Sequence, residues 1–272
     1  MTHVFHATEL EGVATFWRIL RRDGVTLGFT AHDRDLWFDG VLHRAAPGMV
    51  PAAIQRSAGF EPDAAEVEGA LSHDTIAERD LEEGRFDGAL VAIGVVDWET
   101  LEREVFYHGT IGDVALDGAA YSASLQSAKH RLAADPVPRT SPTCRAQFCG
   151  PGCGLSPARH EVRTTLTGMA EDGSAVGVGI GDPRAFVGGR LRWLDGPQAG
   201  MDANIMAVED RWLVLDRAAD EATPAGTAMR LREGCDHTIA TCHERFANAA
   251  NFRGEPFLPG NDVLSRYPGG NG

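Results

Sequence analysis

Residues 15–43 read TFWRILRRDGVTLGFTAHDRDLWFDGVLH, apolar and β-branched runs broken by Asp23-Gly24 and Asp39-Gly40. Asp-Gly supplies the positive φ angles that a tight hairpin turn needs. The spacing predicts strands over 15–21 and 25–30 joined at the first pair, and over 36–38 and 41–43 joined at the second. Outward from this stretch the dipeptide recurs at 87–88, 117–118, 172–173 and 195–196. Further extended candidates lie at 89–98, 104–109, 162–167, 191–194, 211–215 and 228–232. Strands this short and this evenly punctuated predict a mainly β chain with few short helices, built as β-barrel or sandwich-like domains. The 32 Gly and 14 Pro agree, since both are costly inside helices. Two helices are expected. One spans 75–83, with Asp74 as N-cap and Gly84 as stop; the other spans 121–134, where Leu125, Ala128 and Leu132 share a face. Trp17, Trp37, Trp98, Trp193 and Trp212 fall in or beside strands and read as core anchors.

Pro136, Pro138, Pro142, Pro151 and Pro157 interrupt any regular element between 135 and 163. The expected organisation is an N-terminal domain over 1–160 and a C-terminal domain over 161–272, with a Cys-rich loop at 141–157 on the junction. The 272 residues include 25 Lys and Arg against 39 Asp and Glu, a net charge of −14, which argues against a general nucleic-acid binder. Fourteen of the acids, with only three arginines, fall in 61–104. Such a stretch is either a solvated face or a docking surface for a basic partner ring. Lys129 is the sole lysine, and arginine suits contacts that must hold geometry. The longest apolar run, 89–96, is far short of the ~20 residues of a membrane span. Met1–Gly12 has neither a basic opening nor an apolar core, so no signal peptide is expected and the chain is expected to fold in the cytoplasm.

The five cysteines form two groups, Cys144, Cys149 and Cys153, then Cys235 and Cys242. Tight groups some eighty residues apart suggest a shared centre that pins one segment to the other. Disulfides suit an unexported chain with an odd count poorly. Zinc takes four thiolates but favours Cys-x2–4-Cys knuckles, a spacing the first group has only through Cys149 and the second group lacks. An iron–sulfur cluster tolerates wider spacing because its ligands can come from separate loops. Gly150, Gly152, Gly154 and Gly234 are expected to let backbone N–H groups reach the sulfurs. His237 and His243 are alternative metal ligands, and Cys242-His243 raises the competing reading of a cysteine hydrolase. No Gly-x-Ser-x-Gly, phosphate loop or His-Glu-x-x-His pattern is present.

Several segments taken together carry a family likeness. They are Thr30–Leu36, Phe38–Gly40 and Leu81–Ala89 in the first half, and Ser141–Ala146 with Cys153-Gly154 in the middle. The end adds Gly234–Cys242, Phe246–Gly254 and Pro256–Gly260. In these the chain resembles the phage and prophage baseplate hub proteins, including the hub of gene transfer agents, over nearly its full length. The resemblance implies a non-enzymatic structural protein of a tail tip, a homotrimeric ring. That ring would join the distal tail protein to the large central fibre-bearing protein, with DNA as passing cargo and no membrane anchor. Related lambdoid tail-tip proteins carry a four-cysteine iron–sulfur centre, and the pattern falls on Cys144, Cys153, Cys235 and Cys242, implying a [4Fe–4S] cluster with zinc as the alternative. Cys149 stands where the family more usually has glycine and is a possible substitute ligand. Asn248 and Asn251 are expected to satisfy loose backbone groups around Phe252–Gly254. The competing functions are a cysteine-dependent cell-wall peptide hydrolase and a zinc-stabilised tail adaptor.

Overall fold

A computed structural model describes residues 12–46, 50–51, 64–70, 76, 78–117, 120–127, 129–130 and 137–258. By their contacts the residues group into two units, Met1–Pro136 and Val137–Gly272. The limits expected from sequence, 1–160 and 161–272, instead cut the second unit between its cysteine loop and its strands.

The first unit holds β1 (Val13–Leu20), β2 (Thr26–Thr30), β3 (Leu36–Phe38), β4 (Val41–Ala45), β5 (Val50–Pro51), β6 (Ala64–Ala70), α1 (Glu78–Glu82), β7 (Leu90–Asp97), β8 (Arg103–Asp117) and β9 (Ala120–Ser127). They form a nine-stranded sheet in the order β3-β4-β2-β1-β7-β8-β9-β6-β5. All pairs are antiparallel except β2 with β4. The two expected hairpins form. Asp39 (φ 54°) and Gly40 (φ 72°) are both left-handed, as a two-residue turn matching strand twist requires. The Asp39 carboxylate is gripped by Arg18 and Arg103.

Strand alternation gives the sheet two apolar faces. Trp17, Ile19, Phe29, Val91, Ile93, Tyr107 and Leu125 form one core with Leu81 of α1 and Phe86. Ala14, Phe16, Leu36, Phe38 and Val96 form a smaller one on the opposite side. His43 completes it, fully buried, stacked on Phe38 with centroids 3.7 Å apart and edge-on to Phe16. Its Nδ1 lies 3.1 Å from the Val41 carbonyl and its Nε2 faces Arg18, so the bonds assign a neutral ring with the proton on Nδ1.

The helix expected over 121–134 is a correction. Its first half is β9, in which Ala123, Leu125 and Ser127 are buried with period two, paired to β6 on one side and β8 on the other. Two ladders of hydrogen bonds override a helical periodicity resting on three residues. Gly84 is left-handed just beyond α1, as a stop should be, whereas Asp74 lies outside the described residues. Trp17 and Trp193 are core anchors, but Trp37 is 62 % exposed on the outer side of its hairpin and Trp98 is also exposed.

The second unit contains β10 (Glu161–Met169), β11 (Ala175–Val178), β12 (Arg190–Trp193), β13 (Asp202–Glu209), β14 (Trp212–Leu215), β15 (Ala228–Arg232) and α2 (Ile239–Glu244). Its strands close as a six-stranded barrel in the order β10-β11-β14-β13-β12-β15. Leu166, Val176, Leu191, Trp193, Ile205, Leu213, Met229 and Leu231 point inward and are buried, each stabilising by roughly 1.5–3 kcal/mol. The chain is therefore mainly β, with an open sheet in one unit and a closed barrel in the other. Among the described residues no helix is long and apolar enough to cross a membrane.

Candidate metal centre

The segment 137–160 precedes the barrel without forming a strand, and it is held by the segment that follows the barrel. Cys144 N–H donates to the His237 carbonyl at 2.8 Å, and His237 Nδ1 lies 2.9 Å from the Cys144 carbonyl, a two-point clip. Arg145 N–H donates to Arg253 O at 3.1 Å and Glu255 N–H to Ser141 O at 2.7 Å. Arg145 and Ser141 N–H both bind the Glu255 carboxylate, whose pKa these bonds hold down at about 2. After the barrel, Gly234 passes so close to Val187 that a Cβ would lie 1.7 Å from the Val187 carbonyl oxygen. Arg245 ties the same corner by donating to the Gly234 and Ala185 carbonyls. Thr238 then caps α2, its hydroxyl accepting from Thr241 N–H at 3.2 Å.

These clips bring Cys144, Cys153, Cys235 and Cys242 to one small cavity, which is also lined by Phe148, His237, Phe246 and Asn248. Cys149 does not line it. Cys153 and Cys242 are buried, Cys144 and Cys235 half-buried. Three of the four sulfurs receive N–H donors: His237 N–H on Cys235 at 3.4 Å, Arg253 N–H on Cys144 at 3.4 Å, and the Asn248 amide on Cys153 at 3.6 Å. The same Asn248 amide donates to the Cys153 carbonyl at 2.9 Å, and its Oδ1 accepts from Asn251 at 2.7 Å. The glycines are thus not the donors expected. His237 and Arg253 supply backbone N–H groups, while the glycines serve close chain passage and turns. Asn248 does satisfy loose backbone, but at Cys153 instead of the 252–254 turn; Asn251 serves Asn248.

Burial raises the Cys242 thiol pKa, and Cys144, Cys235 and Cys153 raise it further. Burial also raises Cys235, against the His237 N–H bond, with Asp236, Cys153 and Cys144 adding. Four thiolates here would repel one another, and a compensating cation would relieve that repulsion. His237, Cys149 and Ala247 are left-handed non-glycine residues at φ 60°, 58° and 48°. Each costs on the order of 1 kcal/mol and persists because the surrounding bonds over-determine it.

Among the described residues no three His, Cys, Asp or Glu groups close on a point that would hold a single metal ion. All four cysteines line the same small cavity. Zinc would draw them to about 2.3 Å from one centre, whereas a cluster interposes its own atoms. His237 lines the cavity with Nδ1 engaged by a carbonyl, and His243 is exposed on α2. A thiol whose pKa is raised, beside an exposed imidazole, is the reverse of an activated nucleophile. Cys149 is pushed up to about 11, first by burial and then by Cys153. Phe148, Phe246 and His160 form a ring cluster with centroids 4.9–5.3 Å apart, a feature the sequence did not announce.

The second unit of this mainly β chain thus carries a cysteine-lined cavity built from loops on either side of a six-stranded barrel. Residues 6–156 match the family described as "Baseplate hub protein, N-terminal attachment domain", and residues 184–262 match "Phage conserved hypothetical protein BR0599". A chain from the virion of a native gene transfer agent particle superposes with a TM-score of 0.82 at 32 % identity, covering 99 % of this chain and 96 % of that one. The chain belongs to the baseplate hub protein family. A second solved chain, provisionally an oxidoreductase from Sinorhizobium meliloti 1021, is 14 % identical over 89 % of this chain and 93 % of its own with a TM-score of 0.24, and carries no argument. No curated protein sequence matches the chain.

Proposed function

We propose that this protein is a structural hub in the tail baseplate of a phage-like or gene-transfer-agent particle. In this reading copies form a homotrimeric ring joining the distal tail protein to the central fibre-bearing protein, and DNA passes as cargo. Cys144, Cys153, Cys235 and Cys242 hold an iron–sulfur cluster, [4Fe–4S] by the family likeness since four thiolates serve either cluster type, and Cys149 stays free. The observation that carries the cluster is the convergence of four thiols from two distant segments on one cavity, with N–H donors on three of the sulfurs. A cluster bound there supplies a cross-link and positive charge, on the order of several kcal/mol of folding energy by analogy with structural metal sites. The chain's own part is to present the thiols, release their protons and exclude water with Phe148 and Phe246. The hub role rests on family membership and on the full-length likeness to the virion chain.

The test of the hub role is deletion of the chain from a particle-producing strain, followed by electron microscopy. Tail tubes lacking a tip are expected. Intact tips with normal delivery would overturn the reading.

A further inference from the structure

The same alternation that fills the barrel builds an array outside it. Leu191, Trp193, Met229 and Leu231 point inward on β12 and β15, so Arg190, Arg192, Arg230 and Arg232 stand outward. Register sets Arg190 opposite Arg232 and Arg192 opposite Arg230, while Arg163 on β10 lies opposite Arg230. Like charges directly opposed on adjacent strands destabilise a sheet. Among the described residues two carboxylates relieve them. Glu161 pairs with Arg230 and Arg232, and Asp202 lies 3.4 Å from Arg192 and 3.8 Å from Arg190. Five guanidiniums against two acids leave the patch at about +3, in a chain of net −14.

The first unit has the opposite balance. Eleven Lys and Arg stand against twenty-three Asp and Glu in 1–136, a net −12, whereas 137–272 has fourteen against sixteen, a net −2. Of its acids within 61–104, Asp80 and Glu83 are tied to Arg21, Arg79 and Arg85, and Asp97 caps its own turn through Glu99 N–H and Thr100 N–H. Glu99 and Glu102, at the turn between β7 and β8, are exposed and have no ion-pair partner among the described residues.

We propose that the arginine array on β12 and β15 is a docking site for the acidic first unit of a second copy of this chain, with Glu99 and Glu102 as the carboxylates it takes. Discrete carboxylates fit between guanidiniums in two-point pairs and relieve the opposed charges. A continuous phosphate backbone would meet Glu161 and Asp202. The proposal rests on the reading of the chain as a ring former for its occupant, and on the register for its place.

The test is sedimentation of the full chain at about 20 mM and 500 mM NaCl, because exposed charge pairs are screened by salt. Wild type is expected to self-associate at low salt and to separate at high salt. Arg190→Glu/Arg192→Glu should weaken association by about tenfold or more. Mixing it with Glu99→Arg/Glu102→Arg should restore association, since each reversed surface meets its complement. Circular dichroism and melting matched to wild type certify the fold of both variants. Association that survives the reversal removes the patch and leaves the ring reading standing. A chain that is monomeric at every salt concentration overturns the occupant. Binding of a DNA duplex that the reversal abolishes assigns the patch to phosphates and overturns the proposal.

Discussion

Asn248→Leu isolates the support around the thiols from the thiols themselves. The side chain is buried, and its amide serves the Cys153 carbonyl and sulfur while its Oδ1 accepts from Asn251. Leucine has nearly the same volume, so no large cavity forms, but two strong partners lose their bonds: the Cys153 carbonyl and the Asn251 amide. Each polar group left unpaired away from water costs about 1–3 kcal/mol, and the apolar gain of leucine offsets roughly 1 kcal/mol. The expected loss is about 1–5 kcal/mol in the second unit. For a domain of this size that is a fall in Tm of roughly 4–20 °C. Differential scanning calorimetry of wild type and variant, purified identically, reads the change, and the first unit's transition is the internal reference. A variant melting within about 1 °C of wild type would refute the view that Asn248 fastens residue 153 to the C-terminal segment.

Three further outcomes follow from other sites. His43 is fully buried with a pKa lowered to about 4, by burial and then by Arg18, so it stays neutral in the fold. Its contribution is complete above pH 6.5 and is lost as pH falls through 4, about 3 kcal/mol across the window; urea unfolding of the first unit against pH should show this slope, and His43→Gln should flatten it. Gly234→Ala places a methyl 1.7 Å from the Val187 carbonyl oxygen and must move backbone, so soluble yield and Tm should collapse by more than for Gly181→Ala, where a Cβ meets nothing within 4 Å. Cys149→Ser should leave bound metal per chain unchanged, whereas Cys235→Ser should abolish it; metal lost from both would place Cys149 among the ligands.

Much of the fold was legible because its signals are local. Asp39-Gly40 and the alternating residues around it specify a hairpin without outside help, and Leu191 and Trp193 announce a strand facing a core. β9 was not legible as a strand, since its identity depends on β6 and β8, partners remote in sequence. β13 carried a usable signal in the alternation of Ala203 and Ile205 with Asp202 and Asn204. At the thiols, clustering in sequence pointed to five cysteines in two groups, and the family likeness separated the four that share the cavity from Cys149. The hydrogen-bond donors did not follow from composition. His237 and Arg253 donate through the backbone, which any residue type carries, and glycine drew attention for a role it does not have. The arginine array was equally hidden, because register between β12 and β15 appears only once the barrel closes.

The most direct measurement is iron and acid-labile sulfide per chain, with the visible spectrum, on anaerobically purified protein. The account predicts a brown protein with about four of each and a broad visible band. A colourless, well-folded protein holding one zinc, or no metal at all, would contradict it.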